Sequence, residues 1–323
     1  MALCYFDANI PRQDFEEMVL KQNTLCKFGR WISENWACFR DWFDDGEFET
    51  SRMLAYFGDI EVPVTICDDH GPYDSTKITT KMSQFLNELK AGVSTKYLKD
   101  WHFCEAVKST ADVFDLPEFF SCDWLNDCLI DQGKQDYRFL YCGGADTWTP
   151  FHVDVFCSYS WSVNITGHKT WLFLSSEHLS EAEKMNPPND IRKHSHLMKN
   201  AIQVEQGPGE AIFVPSTWFH QVCNRGITVS INHNWFNAYN IHHVFTLLKS
   251  DLDLITHEIS FLKDAMGDGY DDHCQVLLRA NSGFNFDELK QVLEFAAENE
   301  KYGEFQQSKA SRYLDKVKDV LSG

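Results

Sequence analysis

TPFHVDVFCSYSWSVNITGHKTWLFL, residues Thr149 to Leu174, has the aromatic and β-branched texture of buried strands, yet it carries a histidine, an aspartate and a lysine. His152 and Asp154 stand two residues apart, and on an extended backbone such side chains leave on the same face. A pair placed that way can offer two ligands to a metal ion. The bland alternative is a half-exposed strand whose polar residues face water.

The surrounding sequence keeps the same texture. From Tyr137 to about Asn237, short runs follow one another: YRFLYC, TPFHVDVF, SWSVNIT, KTWLFLSS, AIQVEQ, EAIFVP, HQVCN and ITVSINHNW. Turn residues such as Gly143-Gly144, Gly167 and Gly207-Pro208-Gly209 punctuate them. The stretch from Ser175 to Lys199, with Pro187 and Pro188, reads as an insertion. About eight short strands predict a sandwich or barrel of the jelly-roll kind.

In GPGEAIFVPSTWFHQVCN, a tight turn feeds a short apolar strand, Pro215 breaks it, and His220 opens the next strand. A single histidine is thereby delivered to a barrel rim, where it can join His152 and Asp154. Two imidazoles and one carboxylate with open coordination positions are the ligand set of non-haem iron oxygenases. Lys169, in Gly167-His168-Lys169-Thr170-Trp171, enters the same apolar strand region. A buried lysine is costly unless it meets an anion, and the distal carboxylate of 2-oxoglutarate would be one; a solvent-facing strand lysine is the alternative. His194 and His196, in the insertion, read as surface residues, and His233 and the His242-His243 pair as structural ones.

Outside this region the texture changes. Residues 1–123 mix helical stretches such as STKITTKMSQFLNELKAG with an apolar run, DIEVPVTIC, which Pro63 should confine to a sheet edge or a strand start. They read as an N-terminal α/β elaboration packed on a core at 124–240, although a domain boundary drawn at about 105–255 would also fit. Residues 241–323 read as a helical region. Val244, Leu248, Leu252, Ile255, Ile259 and Leu262 share one face of a long helix. A second helix begins at NFDELKQVLEFAAENEKYG, with Asn285 as cap, Glu288 in capping-box position and Gly303 as its end. The expected fold is mainly β with α additions.

The 323 residues, 43% of them hydrophobic, are enough for a full core. A formal charge of -19 argues against a nucleic-acid partner and favours basic peptides or proteins. Eleven scattered cysteines with no close Cys-x-x-Cys pair read as reduced core thiols. No secretory leader or membrane-spanning run is evident in the sequence, which suggests the cytoplasm, with the nucleus as a further location.

The order Thr-Pro-Phe-His-x-Asp, Gly-His-Lys-x-Trp, Pro-x-x-Trp-x-His, Asn-His-Asn-Trp resembles the Jumonji-C family of Fe(II)- and 2-oxoglutarate-dependent oxygenases. YLKDWHFC, LPEFFSCDWLND, DYRFLYCG and DHCQVLLRANSGFNFDEL resemble the branch that hydroxylates a lysine of the eukaryotic translation termination factor. The resemblance covers most of the chain, from Ile10-Pro11 to the C-terminal helices. It implies a double-stranded β-helix, or cupin-like, core and iron held by His152, Asp154 and His220. It also implies Lys169 and Thr149 on the distal carboxylate of 2-oxoglutarate, with Asn232, Ser162 and Tyr141 as further pocket residues. Dioxygen would be the second co-substrate, the termination factor the protein partner, and the C-terminal helices a surface for self-association. The ligand positions show no departure from the family pattern. Rival readings are a histone N-methyl-lysine demethylase, a zinc or manganese cupin isomerase, and a non-catalytic cupin-like binding module.

Overall fold

The computed structural model describes residues 3–67, 77–92, 95–107 and 109–322. The chain forms two compact units: Met1–Ser121 with Tyr137–Val153 and Ser160–His233, and Cys122–Asp136 with Asp154–Tyr159 and Asn234–Gly323.

Thirteen strands are found among the described residues: β1 Cys4–Phe6, β2 Cys26–Phe28, β3 Phe43–Asp44, β4 Glu47–Phe48, β5 Glu61–Ile66, β6 Lys77–Lys81, β7 Lys96–Trp101, β8 Arg138–Gly143, β9 Trp148–His152, β10 Tyr159–Ser175, β11 Ile202–Gln206, β12 Ala211–Val214 and β13 Trp218–Trp235. Apart from the β3-β4 hairpin they join in the order β1-β2-β12-β10-β13-β8-β7-β5-β6, with β11 on β10 and β9 on β13. SWSVNIT and KTWLFLSS, expected as two strands, are one continuous strand, as are HQVCN and ITVSINHNW. Each long strand changes partners along its length. β10 pairs with β12 through Ser160–Val163 and with β11 through Lys169–Phe173. β13 pairs with β9 through His220–Cys223 and with β8 through Thr228–His233. A strand shared in this way between two neighbours closes the two faces of a jelly roll.

Side-chain alternation gives this barrel an inside and an outside. Trp171, Phe173, Ile212, Val214, Trp218 and Val222 form one buried cluster. Trp161 is fully buried in a separate aromatic cluster, where Trp36, Phe114, Phe120 and His233 surround it at ring-centroid distances of 6.1, 6.1, 5.8 and 5.2 Å. Each such aromatic contributes on the order of 2–3 kcal/mol of burial. His233 is therefore a core residue, as its alternation with Asn232 predicts.

The N-terminal expectations need two corrections. In STKITTKMSQFLNELKAG the first two residues lie outside the described residues, Lys77–Lys81 is strand, and only Met82–Lys90 is helix. Ile78, Thr79 and Thr80 suit a pleated surface better than a helix. Nor is β5 an edge strand, since it pairs with both β6 and β7. Pro63 is accommodated because the β7 ladder begins only at Val64.

The second unit is helical. Ile241–Glu258 buries Ile241, Val244, Leu248 and Leu252, but it stops before Ile259 and Leu262, which lie in and beside a 3-10 turn. Asn285 and Glu288 form the expected capping box on Phe286–Glu298. Gly303 does not end that helix; Asn299 does, and Gly303 precedes a further helix, Glu304–Leu321. No helix among the described residues is long and apolar enough to cross a membrane. All eleven cysteines are free thiols.

Both long strands carry a glycine of positive φ where they change partners, Gly167 at 71° and Gly226 at 82°. A Cβ at Gly167 would stand 2.2 Å from the Ile227 carbonyl oxygen, whereas one at Gly226 meets nothing within 4 Å. Gly167→Ala should therefore cost about 3 kcal/mol or more, from left-handed strain plus overpacking, and Gly226→Ala only about 1 kcal/mol. Urea midpoints of the two variants check this ordering.

Candidate active site

β9 ends on His152, and its antiparallel register places His152 opposite His220 on β13. The two imidazole centroids are 4.3 Å apart. An irregularity in the β13 register between His220 and Val222 is the kind of local bulge that re-aims a side chain. The Nδ1 atoms lie 2.7 Å from the Pro150 carbonyl oxygen in His152 and 3.4 Å from that of Trp218 in His220. With the proton assigned to Nδ1, each Nε2 keeps a lone pair suited to a metal ion.

Asp154 lies just past the strand, not on it, yet its backbone is still extended at φ -60 and ψ 151. Asp154 brings its carboxylate to the two imidazoles from the turn that begins here rather than from a shared strand face. Its carbonyl accepts the Cys157 N–H at 3.1 Å, closing a turn through Phe156 and Cys157, both at positive φ (58° and 51°). Such backbone conformations persist only where neighbours hold them. Here the buried Phe156 ring packs on Phe284 at 5.0 Å. The ligand atoms of His152, Asp154 and His220 all lie within 4.8 Å of one another, the only such group of three among the described residues. Their spacing and donor set fit a divalent iron.

Trp171 and Phe173 stack on one another and lie 5.6 and 5.9 Å from the His220 ring. The Trp171 indole N–H donates to Gln206 Oε1 at 2.8 Å, while Gln206 donates to the backbone carbonyls of Ser162 and Glu210. This network fixes the wall against which the imidazole rests.

Lys169, two residues before Trp171, shares that inward face and is only 2% exposed. Its Nζ donates to Ser230 Oγ at 2.6 Å and lies 5.9 Å from the Tyr141 ring centroid. Among the described residues no carboxylate comes within ion-pair reach of it. Burial pushes the Lys169 pKa down to about 7, with the nearby Cys142 thiol opposing the shift weakly. A buried ammonium without an anion is the unfavourable half of an ion pair, so the pocket fits a ligand that brings a carboxylate.

The other expected pocket residues fall into two groups. Tyr141, opposite Ser230 in the β8-β13 ladder, donates its hydroxyl to Asp100 Oδ1 at 2.7 Å, and Asn232 donates to Ser230 Oγ at 3.1 Å. Thr149 is buried near Tyr97, whose ring lies 5.8 Å from that of Tyr141. Tyr141 and, through Ser230, Asn232 adjoin the lysine. Ser162 is buried with no hydrogen bond to its hydroxyl among the described residues, and nothing links it to Lys169. The sequence reading missed Ser230 and Tyr97. Ser230 could have been found from alternation, being two residues from Asn232; Tyr97 is far away in sequence and carried no local signal. His196 is exposed and pairs with Glu183 at 2.8 Å, while His242 and His243 lie at the start of Ile241–Glu258.

A jelly-roll barrel holding two imidazoles and a carboxylate together, with a buried lysine awaiting an anion, has the architecture of an iron- and 2-oxoglutarate-dependent oxygenase. Comparison with known proteins agrees. Residues 139–235 match the family described as JmjC domain, hydroxylase. A mouse protein, 2-oxoglutarate and iron-dependent oxygenase JMJD4, is 37% identical over 309 residues, covering 88% of this chain and 72% of its own. A Drosophila melanogaster JMJD4 homolog is 40% identical over 315 residues, covering 82% and 71%. Arginine-specific demethylase JMJ20 of Arabidopsis thaliana is 35% identical over 319 residues, covering 85% and 66%. The chain belongs to the JmjC family of 2-oxoglutarate and iron-dependent oxygenases, and it is an enzyme that uses iron, 2-oxoglutarate and dioxygen.

The depressed Lys169 pKa sets a pH dependence for the ligand-free protein. Between about 7 and the ordinary lysine value of 10.5 the unfolded chain binds a proton that the folded chain does not, so stability rises with pH across that window. A Lys169→Met variant should lack this rise. Chemical denaturation at pH 7 and at pH 9 on both proteins tests it, and parallel behaviour of the two would sink the assignment.

Proposed function

We propose that this enzyme hydroxylates a lysine side-chain carbon of the eukaryotic translation termination factor in the cytoplasm. In this reading His152, Asp154 and His220 hold the iron, while Lys169 and Thr149 bind the distal carboxylate of 2-oxoglutarate. Tyr141, Asn232 and Ser162 are assigned to the wall of the co-substrate pocket. The observation that carries the chemistry is the buried Lys169 with no carboxylate partner. The substrate reading rests on the series of motifs from YLKDWHFC to DHCQVLLRANSGFNFDEL.

Bound together, iron and 2-oxoglutarate supply oxidation of a C–H bond by dioxygen, with one oxygen entering the product and succinate and carbon dioxide released. The chain's own part is placement. Ser230 orients the Lys169 ammonium, and Asn232 orients Ser230. The Trp171 and Phe173 rings keep water from one side of His220. An anion beside Lys169 favours its charged form, so binding takes up a proton above pH 7.

The decisive experiment is mass spectrometry of purified termination factor after incubation with this enzyme, Fe(II), ascorbate and 2-oxoglutarate, beside a His152→Ala control. Gain of one oxygen atom on a lysine, absent in the control, is the expected outcome. Loss of a methyl group from arginine, the chemistry in the Arabidopsis relative's name, would replace the proposed reaction, and succinate formation without modification would reject the substrate alone. Lys169→Ala should weaken 2-oxoglutarate binding while leaving iron binding intact. In the unmodified enzyme the affinity for 2-oxoglutarate should fall as pH rises above about 7. Isothermal titration of each ligand separates these effects.

A further inference from the structure

A cavity of about 660 Å³ opens in the N-terminal part of the first unit, lined wholly by residues between Asn9 and Trp36 and between Asp115 and Phe119. None of the residues assigned above to iron or 2-oxoglutarate contributes to it. Its volume is in the range of ligand sites, roughly 300–1,000 Å³. Half-buried Ile10, Trp31 and Leu116 give it an apolar floor. Trp31 is fixed there by its indole N–H, which donates to the Phe6 carbonyl at 3.0 Å, and by its ring against Phe28.

The fully exposed charges of the lining are acidic. Glu34, Asp115 and Glu118 are exposed, and none of their carboxylates has an ion pair or hydrogen-bond partner among the described residues. The one cation on the lining, Arg12, is held at 2.8 Å by Glu16. In the same lining the Trp36 side chain is 4% exposed, and its indole N–H finds no acceptor among the described residues. An apolar floor with one indole beneath unpaired carboxylates suits lysine and arginine side chains, whose apolar stems pack on it while their charged ends reach acids.

We propose that this groove docks a basic, extended polypeptide segment, separately from the iron centre. Charge complementarity selects that occupant: the local carboxylates are unpaired and the whole chain carries -19. This docking does not depend on the identity of the hydroxylated protein. A substrate could carry the segment on a part distant from the reacting residue, which would raise the effective concentration of the target at the iron.

The test measures binding without turnover, so it stands apart from the release-factor reading. Fluorescein-labelled oligolysine is titrated by anisotropy against the full chain, beside oligoglutamate and with spermine as competitor. Joint replacement Glu34→Gln, Asp115→Asn and Glu118→Gln should weaken oligolysine binding about tenfold. A charge-matched control at exposed sites elsewhere, Asp264→Asn, Asp268→Asn and Glu300→Gln, should leave it nearly unchanged. Equal losses in the two triple variants, or equal binding of oligoglutamate, would overturn the proposal, as would binding of spermine without oligolysine. Carbodiimide cross-linking of oligolysine to the unmodified protein gives a readout independent of variant folding. Adducts should map to Glu34, Asp115 or Glu118, and adducts confined to other acids would overturn it.

Discussion

The interaction on which the site turns is an incomplete one. Lys169 lies inside an apolar barrel with a serine hydroxyl and an aromatic ring for company and, among the described residues, no carboxylate to neutralise it. A fold pays for such a residue only where something outside the chain completes the pair. Its position is set by the continuous strand β10, which also carries Trp171 and Phe173 to the His220 ring. One strand thereby carries both the buried lysine and the rings that pack on the His220 imidazole.

The cluster of His152, Asp154 and His220 shows how a mainly β scaffold can set precise geometry with irregular pieces. His152 and His220 are opposed by strand register, which rigid ladders fix well. Asp154 instead depends on a turn with two residues at positive φ, held through Phe156 on Phe284. The carboxylate is thus supported by side-chain packing rather than by a ladder. A register irregularity beside His220 completes the adjustment.

Different physics governs the periphery. The groove near Trp31 has unpaired acids around an indole, and this charge pattern underlies the proposed docking of a basic segment. Enzymes acting on protein side chains gain from such separation of labour, because a remote contact can supply affinity while the reacting pocket supplies orientation.

Much of this was written locally in the chain. That His152 and His220 could meet was legible in the strand pattern and turn residues, whereas Asp154 proves to lie beyond the strand, and the capping box at Asn285 and Glu288 was legible because it is a four-residue interaction. Gly303 was misread as a helix end because a glycine can stand beside either terminus, and the neighbouring helix decides which. Pro63 was misplaced at an edge because a strand cannot announce how far each partner ladder extends. Ser230 against Lys169, Tyr97 beside Thr149, and the cavity between residues near Trp31 and those near Asp115 depend on segments far apart in sequence. The sequence by itself determined the strand texture, the ligand types and their order. Tertiary structure decided which of these groups meet and whether Lys169 finds an acid, because burial and pairing are properties of neighbours that only folding brings together.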